Sequence, residues 1–200
     1  MSVHASLYLI AHAPTHAMRA GQFPDDDPLD ARGLAEATAV RDQWPVVALV
    51  LSSPARCALQ TAAVLGLHAR VEEALRDVDY GSWRGKSLAE LAREMPEALN
   101  AWIVDPRASS HGGESHADVL ERVGTWLGQL QRQVQGNILA ITHAAIVRAA
   151  LAHALGSGPQ AMARIEIAPL SLVELRSTHD GWKWIARSYE HGDTMNRLSR

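Results

Sequence analysis

The sequence predicts an α/β fold: a three-layer α/β/α sandwich around a mostly parallel sheet. Three observations carry that reading. VVALVLSS (46–53) and NILAITH (137–143) are near-continuous apolar runs, the pattern of strands covered on both faces. Segments with apolar residues at three- and four-residue spacing alternate with the strand candidates, which argues for a sheet between helical layers. The final strand candidates follow one another without helices between them, so the sheet is expected to end in antiparallel strands.

In chain order, the expected strands are Ser6–Ile10, Val46–Ser52, Ala69–Glu72, Asn137–Thr142, Arg164–Ile167, Leu170–Arg176 and Trp182–Ser188. The helix over 30–44 opens on Asp30 as N-cap. The helix over 54–66 has proline in its first turn and glycine at its end. A helix over 87–95 stops before Pro96, and a short one follows over 97–103. Helices over 114–134 and 143–156 complete the set; the second is apolar enough to be buried. The stretch 77–113, rich in Gly, Asp, Pro and Ser, reads as an excursion over the strand ends within one domain spanning 1–200.

Composition narrows the function classes. The 19 basic and 22 acidic side chains are spread along the chain, without a basic block that would suit nucleic acid or a membrane surface. The N-terminal apolar run is too short for a signal peptide or a span, and the single Cys57 excludes an internal disulfide and a cysteine-rich metal site. A reduced, buried, cytoplasmic thiol is the expectation for Cys57. The spacing of His12 and His16 is interrupted by Pro14, which argues against a helical His-x-x-x-His metal pair. His111 and His116, flanking GGES, are expected in solvent rather than as ligands, with contact to substrate left open.

Three strand-to-helix junctions concentrate reactive residue types. LYLIAHAPTH (7–16) delivers His12 just beyond a strand, SSPAR (52–56) puts Arg56 in the first turn of a helix, and THA (142–144) puts His143 at a helix start. In a parallel sheet these C-terminal strand ends converge on one edge, where helix N-termini add N–H donors. Two histidines, an arginine and a helix N-terminus suit a phosphate-like anion. A neutral imidazole with one nitrogen held by a hydrogen bond is a competent nucleophile towards phosphorus. Cationic donors absorb the charge on the phosphoryl oxygens, and a carboxylic acid protonates the leaving alkoxide and then activates water. That chemistry needs neither metal nor cofactor.

Several motifs resemble the histidine phosphatase (phosphoglycerate mutase-like) superfamily, over most of the chain. LYLIAHAPT is similar to its signature strand followed by Arg-His-Gly-Glu-Thr, and PLDARGLAEA (28–37) to its Pro-Leu-Thr-x-x-Gly-x-x-Gln-Ala helix start. SSPARCALQTA (52–62) resembles Ser-Ser-Pro-x-x-Arg-Ala-x-Gln-Thr-Ala, and LRDVDYGSWRGKS (75–87) resembles Leu-Arg-Glu-x-x-x-Gly-x-Trp-Glu-Gly. GGES (112–115) and ITHAAIVRAAL (141–151) complete six motifs in order.

The resemblance implies roles residue by residue. His12 matches the nucleophile that forms a phosphohistidine, Arg56 the phosphate-clamping arginine and His143 the second pocket histidine. Asp77 falls where relatives carry the acid, with Asp79 as the alternative two residues on. Thr15 lies beside the phosphate, and Arg19, with Arg84 and Arg148, is a candidate to supply a further guanidinium. The expected activity is metal-independent hydrolysis of a small phosphorylated metabolite, α-ribazole phosphate among the candidates, with no nucleic-acid or membrane partner. The oligomeric state is left open, a dimer included. Departures matter too. The arginine before the nucleophile is Ala11, the following glycine is Ala13, the glutamate is Pro14, and Met18 replaces an asparagine. They support a rival reading, an impaired relative that binds phosphorylated ligands or a protein partner without turnover.

Overall fold

A computed structural model describes residues 5–133 and 136–186. Its six-stranded sheet is built from β1 (Ser6–Ala11), β2 (Leu49–Ser52), β3 (Arg70–Val71), β4 (Ile138–Thr142), β5 (Leu172–Thr178) and β6 (Gly181–Ile185). The spatial order is β3-β2-β4-β1-β5-β6. Pairing is parallel from β3 through β2 and β4 to β1, then antiparallel to β5 and β6. The central strands β1 and β4 are buried at every position, as their unbroken apolar character requires.

Side chains along β1 alternate between two cores. Leu7 and Leu9 pack with Val119, Val123 and Val147 on one face, which α6 (His116–Gln133) and α7 (Ala144–Ala154) cover. Tyr8 and Ile10 pack with Ala58 and Ala62 on the other face, under α3 (Arg56–Val64), beside which lies α2 (Ala31–Ala39). A third group of apolar residues, Phe23, Trp83, Leu91 and Leu99, roots the excursion that carries α4 (Leu88–Glu94) and α5 (Pro96–Val104).

Local chemistry sets most boundaries. Asp30 caps α2 by accepting from the Gly33 N–H at 2.7 Å, and Ser87 with Glu90 forms a complete capping box on α4. α2 ends at Ala39, five residues before the sequence pattern ends. The expected strand Arg164–Ile167 is absent: a 3₁₀ stretch covers Pro159–Arg164, and no strand partners the residues after it. Its Arg-Ile-Glu-Ile alternation matches a strand, but Ile165 and Ile167 pack against the core of the sheet face covered by α6 and α7 instead. A four-residue helix α1 (His16–Arg19), capped by Thr15, stands outside the expected elements. Residues 187 and 188 of the last expected strand, and residue 134 of the long helix, lie outside the described residues. No described helix is long and apolar enough to cross a membrane.

Candidate active site

The parallel strands β1, β2 and β4 end on the same edge, and backbone hydrogen bonds lock the segments beyond them. The His12 N–H donates to the Thr142 carbonyl at 2.8 Å and the Ser53 N–H to the Ile141 carbonyl at 2.9 Å. The Thr142 hydroxyl donates to the Leu75 carbonyl at 2.7 Å, which fastens the Asp77 segment to the end of β4. His12, Asp77 and His143 therefore share one cleft of about 350 Å³.

His12 is 8% exposed, and its Nδ1 lies 2.7 Å from the Ala13 carbonyl. A carbonyl only accepts, so Nδ1 carries the proton and Nε2 keeps its lone pair. Burial, reinforced by the charge of His143, lowers the His12 pKa to about 4. The imidazole is thus neutral at physiological pH.

The rings of His12 and His143 meet edge to face, with centroids 5.0 Å apart. His143 Nε2 contacts the Ser53 hydroxyl at 2.9 Å. Its Nδ1 is buried without a hydrogen-bond partner and sits 3.2 Å from Asp77 Oδ2. Burial alone would raise the Asp77 pKa. The charge and proximity of His143 and the Val78 N–H outweigh it, leaving Asp77 below the usual carboxylate value.

Asp79 also lines the cleft, but its Oδ1 accepts from the Gly81 N–H at 3.0 Å and from Arg84 at 2.8 Å. Of the two carboxylates, Asp77 is the one beside the histidines. Thr15 lines the cleft and accepts the Met18 N–H at 3.3 Å, so its hydroxyl caps α1 as well.

Two arginines do not reach the site. Arg19 turns away to pair with Asp30 at 2.8 Å and is not part of the cleft lining. Arg56 is exposed on α3 and also lies outside the lining, while its backbone N–H is taken by Asp26 at 2.8 Å. The neighbouring Cys57 lines the cleft instead. Counted from Ser52-Ser53-Pro54, the arginine of Ser-Ser-Pro-x-x-Arg falls on Cys57, one residue beyond Arg56. One residue is about 100° of helix, enough to turn a side chain from cleft to solvent. Both expected guanidinium positions thus hold uncharged side chains, Ala11 and Cys57. Burial, with the charge of Asp77 adding to it, pushes the Cys57 thiol up to about 12, so it is protonated.

Three arginines do line the cleft. Arg76 is tied to Glu114 at 2.9 Å and Arg84 to Asp79 at 2.8 Å. Arg148 makes no ion pair among the described residues, and its Nε is buried without a partner. Asp25, Asp26 and Asp27 line the same cleft. Arg84 and Arg148 are thus the two of the three guanidinium candidates named from the sequence that line the cleft, whereas Arg19 does not.

Comparison with known proteins agrees with this architecture. The sequence profile of the histidine phosphatase superfamily (branch 1) matches residues 7–189, and the chain belongs to that family. It is 33% identical over 135 residues to a bifunctional protein of Mycobacterium tuberculosis, covering 64% of this chain and 37% of the relative. It is 30% identical over 163 residues to 6-phosphofructo-2-kinase/fructose-2,6-bisphosphatase 1 of Rattus norvegicus, covering 78% of this chain and 34% of that one. The chain therefore spans little more than a third of the length of these relatives. The crystal structure of the α-ribazole phosphatase of Shigella flexneri superposes with a TM-score of 0.80 at 23% identity, over 90% of this chain and 94% of the other, which shows the shared fold.

Proposed function

We propose that the chain is a phosphoric monoester hydrolase acting on a small phosphorylated metabolite through a phosphohistidine at His12. The observation that carries this is the prepared state of His12: buried, neutral, its Nδ1–H fixed on Ala13 and its Nε2 unencumbered. Nε2 attacks phosphorus, and the P–O bond to the leaving alkoxide breaks as the P–N bond forms. Asp77 protonates the alkoxide. The charge of an arriving phosphoryl group raises the Asp77 pKa towards protonation, and once it has given up that proton the carboxylate activates the water that cleaves the P–N bond. Arg148, the cleft guanidinium with no carboxylate partner among the described residues, neutralises the phosphoryl oxygens. This route requires no metal. The family and the cleft volume support a small phosphorylated substrate, and α-ribazole phosphate is one member of that class. The reading treats 1–200 as one cytoplasmic domain, with Cys57 free and buried.

A second reading, phosphoryl-ligand binding without turnover, is favoured by one specific observation: Ala11 and Cys57 occupy both guanidinium positions. One lost donor in a preorganised site costs on the order of a hundred- to a thousandfold in rate. Steady-state hydrolysis of a generic aryl phosphate by the wild type and by His12→Ala separates the two. Turnover abolished in the variant is expected. Saturable phosphate binding with no turnover in either protein would overturn hydrolysis in favour of binding.

A further inference from the structure

The replacement of arginine by Cys57 places a sulfur ligand near two imidazoles. The ligand atoms of His12, Cys57 and His143 all lie within 4.8 Å of one another, and all three residues are buried. We propose that these three residues form a binding site for a divalent cation of the zinc class, with one open coordination position facing the cleft.

Three features of the site point the same way. First, the donors are two imidazoles and one thiolate, the mixed N/S set that borderline cations of this kind prefer, with three protein ligands as in reactive zinc sites. Second, the nitrogens are prepared. His12 has Nδ1 committed to the Ala13 carbonyl, which leaves Nε2 as its ligand atom. His143 keeps Nε2 on the Ser53 hydroxyl, while its buried Nδ1 lacks a hydrogen-bond partner. A ligating histidine oriented through its other nitrogen is the usual arrangement around a metal.

Third, the cleft wall carries more anions than cations. Asp25, Asp26, Asp27, Asp77 and Asp79 face three arginines, of which Arg76 and Arg84 are already paired. A divalent cation among the strand ends offsets that excess, where two guanidinium positions now hold no charge.

Tetrahedral zinc sets its ligand atoms roughly 3.5 Å apart, so the side chains close by about 1 Å around the ion. The Cys57 thiol proton, and any proton that His143 Nδ1 shares with Asp77, leave to solvent as the metal bonds form. Because the ion takes the Nε2 lone pair of His12, occupancy and phosphohistidine formation exclude each other. The cation is therefore a reversible inhibitor of the hydrolysis proposed above. Its binding is measured without turnover, so the two proposals fail separately.

The test is titration of the metal-free full-length chain with Co²⁺, followed by competition with Zn²⁺. Cys57 is the only cysteine, so any thiolate-to-cobalt charge-transfer band reports this residue alone. One equivalent is expected to give that band together with tetrahedral ligand-field bands, and Zn²⁺ is expected to bleach both. Cys57→Ala abolishes the band and weakens Zn²⁺ binding at least about 100-fold, more than an outer-shell change would. Cys57→Ser preserves the buried volume, and its thermal melt without metal confirms that the fold persists. Absence of the band in the wild type, or undiminished one-to-one Zn²⁺ binding in the folded Cys57→Ser protein, overturns the proposal.

Discussion

His12 shows how much chemistry a single position can derive from its surroundings. Its lowered pKa means that the free enzyme keeps a nucleophilic imidazole down to acidic pH. The acid limb of kcat/KM assigned to His12 is therefore predicted to fall near pH 4 rather than near 6.5, measured with the aryl phosphate across that range. A limb centred at 6.5 would mean that His12 is solvated. Cys57 gives the complementary prediction. Of the two uncharged replacements, Cys57 lines the cleft and Ala11 does not, so Cys57→Arg is the change that returns a guanidinium to the phosphoryl group. It should raise kcat/KM about tenfold or more. Unchanged or lower activity in a folded variant would show that Arg148 already saturates that need.

The residue scale is also where the sequence was hardest to read. His12, His143 and Asp77 were recognisable because each follows a strand or lies in a distinctive run of turn residues. Arg56 was not resolvable from Cys57. The two are adjacent in a motif, and only the rotation of α3 decides which side chain enters the cleft. Arg19 was drawn off by Asp30, a partner eleven residues on that no local pattern identifies.

At the scale of elements, the strands and helices followed from apolar periodicity, and their interior spans were legible. Their ends were set by less visible things: capping carboxylates, or a lack of partners, as at Arg164–Ile167. The loop joining α5 to α6 shows why some small residues are fixed. A Cβ on Gly113 would lie 1.9 Å from the Asp79 carbonyl oxygen, because the GGES loop presses directly on the segment carrying both candidate acids. Glu114 then binds that segment from the next position. It accepts from Arg122 at 2.7 Å, from Arg76 at 2.9 Å and from the Asp79 N–H at 3.1 Å, while Arg122 also reaches the Ala74 carbonyl at 2.8 Å. Gly113→Ala is predicted to cost about 1–3 kcal/mol of stability and to lower kcat, since the backbone must separate at Asp79. Glu114→Ala leaves the half-buried Arg76 and the largely buried Arg122 without their anion and should cost on the order of 2–4 kcal/mol in a denaturant melt. A wild-type midpoint in either variant would contradict the tie between this loop and the site.

Across the whole molecule, the parallel half of the sheet collects the reactive residues at one edge while the antiparallel half, β5 and β6, only completes the core. The stability of the whole chain should carry the signature of that edge. His12 takes up a proton at 6.5 when unfolded and at about 4 when folded, so between these values the unfolded chain binds more protons. Stability is therefore predicted to decline as pH falls from 6.5 to 4, and His12→Asn should flatten the decline. Asp77 acts in a lower window. Its folded pKa lies below 3.8, so its contribution is present above that value and is lost as pH falls beneath it. Equilibrium unfolding at a series of pH values tests both, and a slope unaltered by His12→Asn would assign the acid sensitivity elsewhere.

The claim on which the account turns is covalent chemistry at His12. Its most direct test is to quench the metal-free protein with denaturant during turnover of a phosphate-labelled substrate and to locate the label. Label is expected on the peptide containing His12, stable in alkali and lost in acid, and none in His12→Ala. Turnover with no trapped label, or label on another residue, would contradict it.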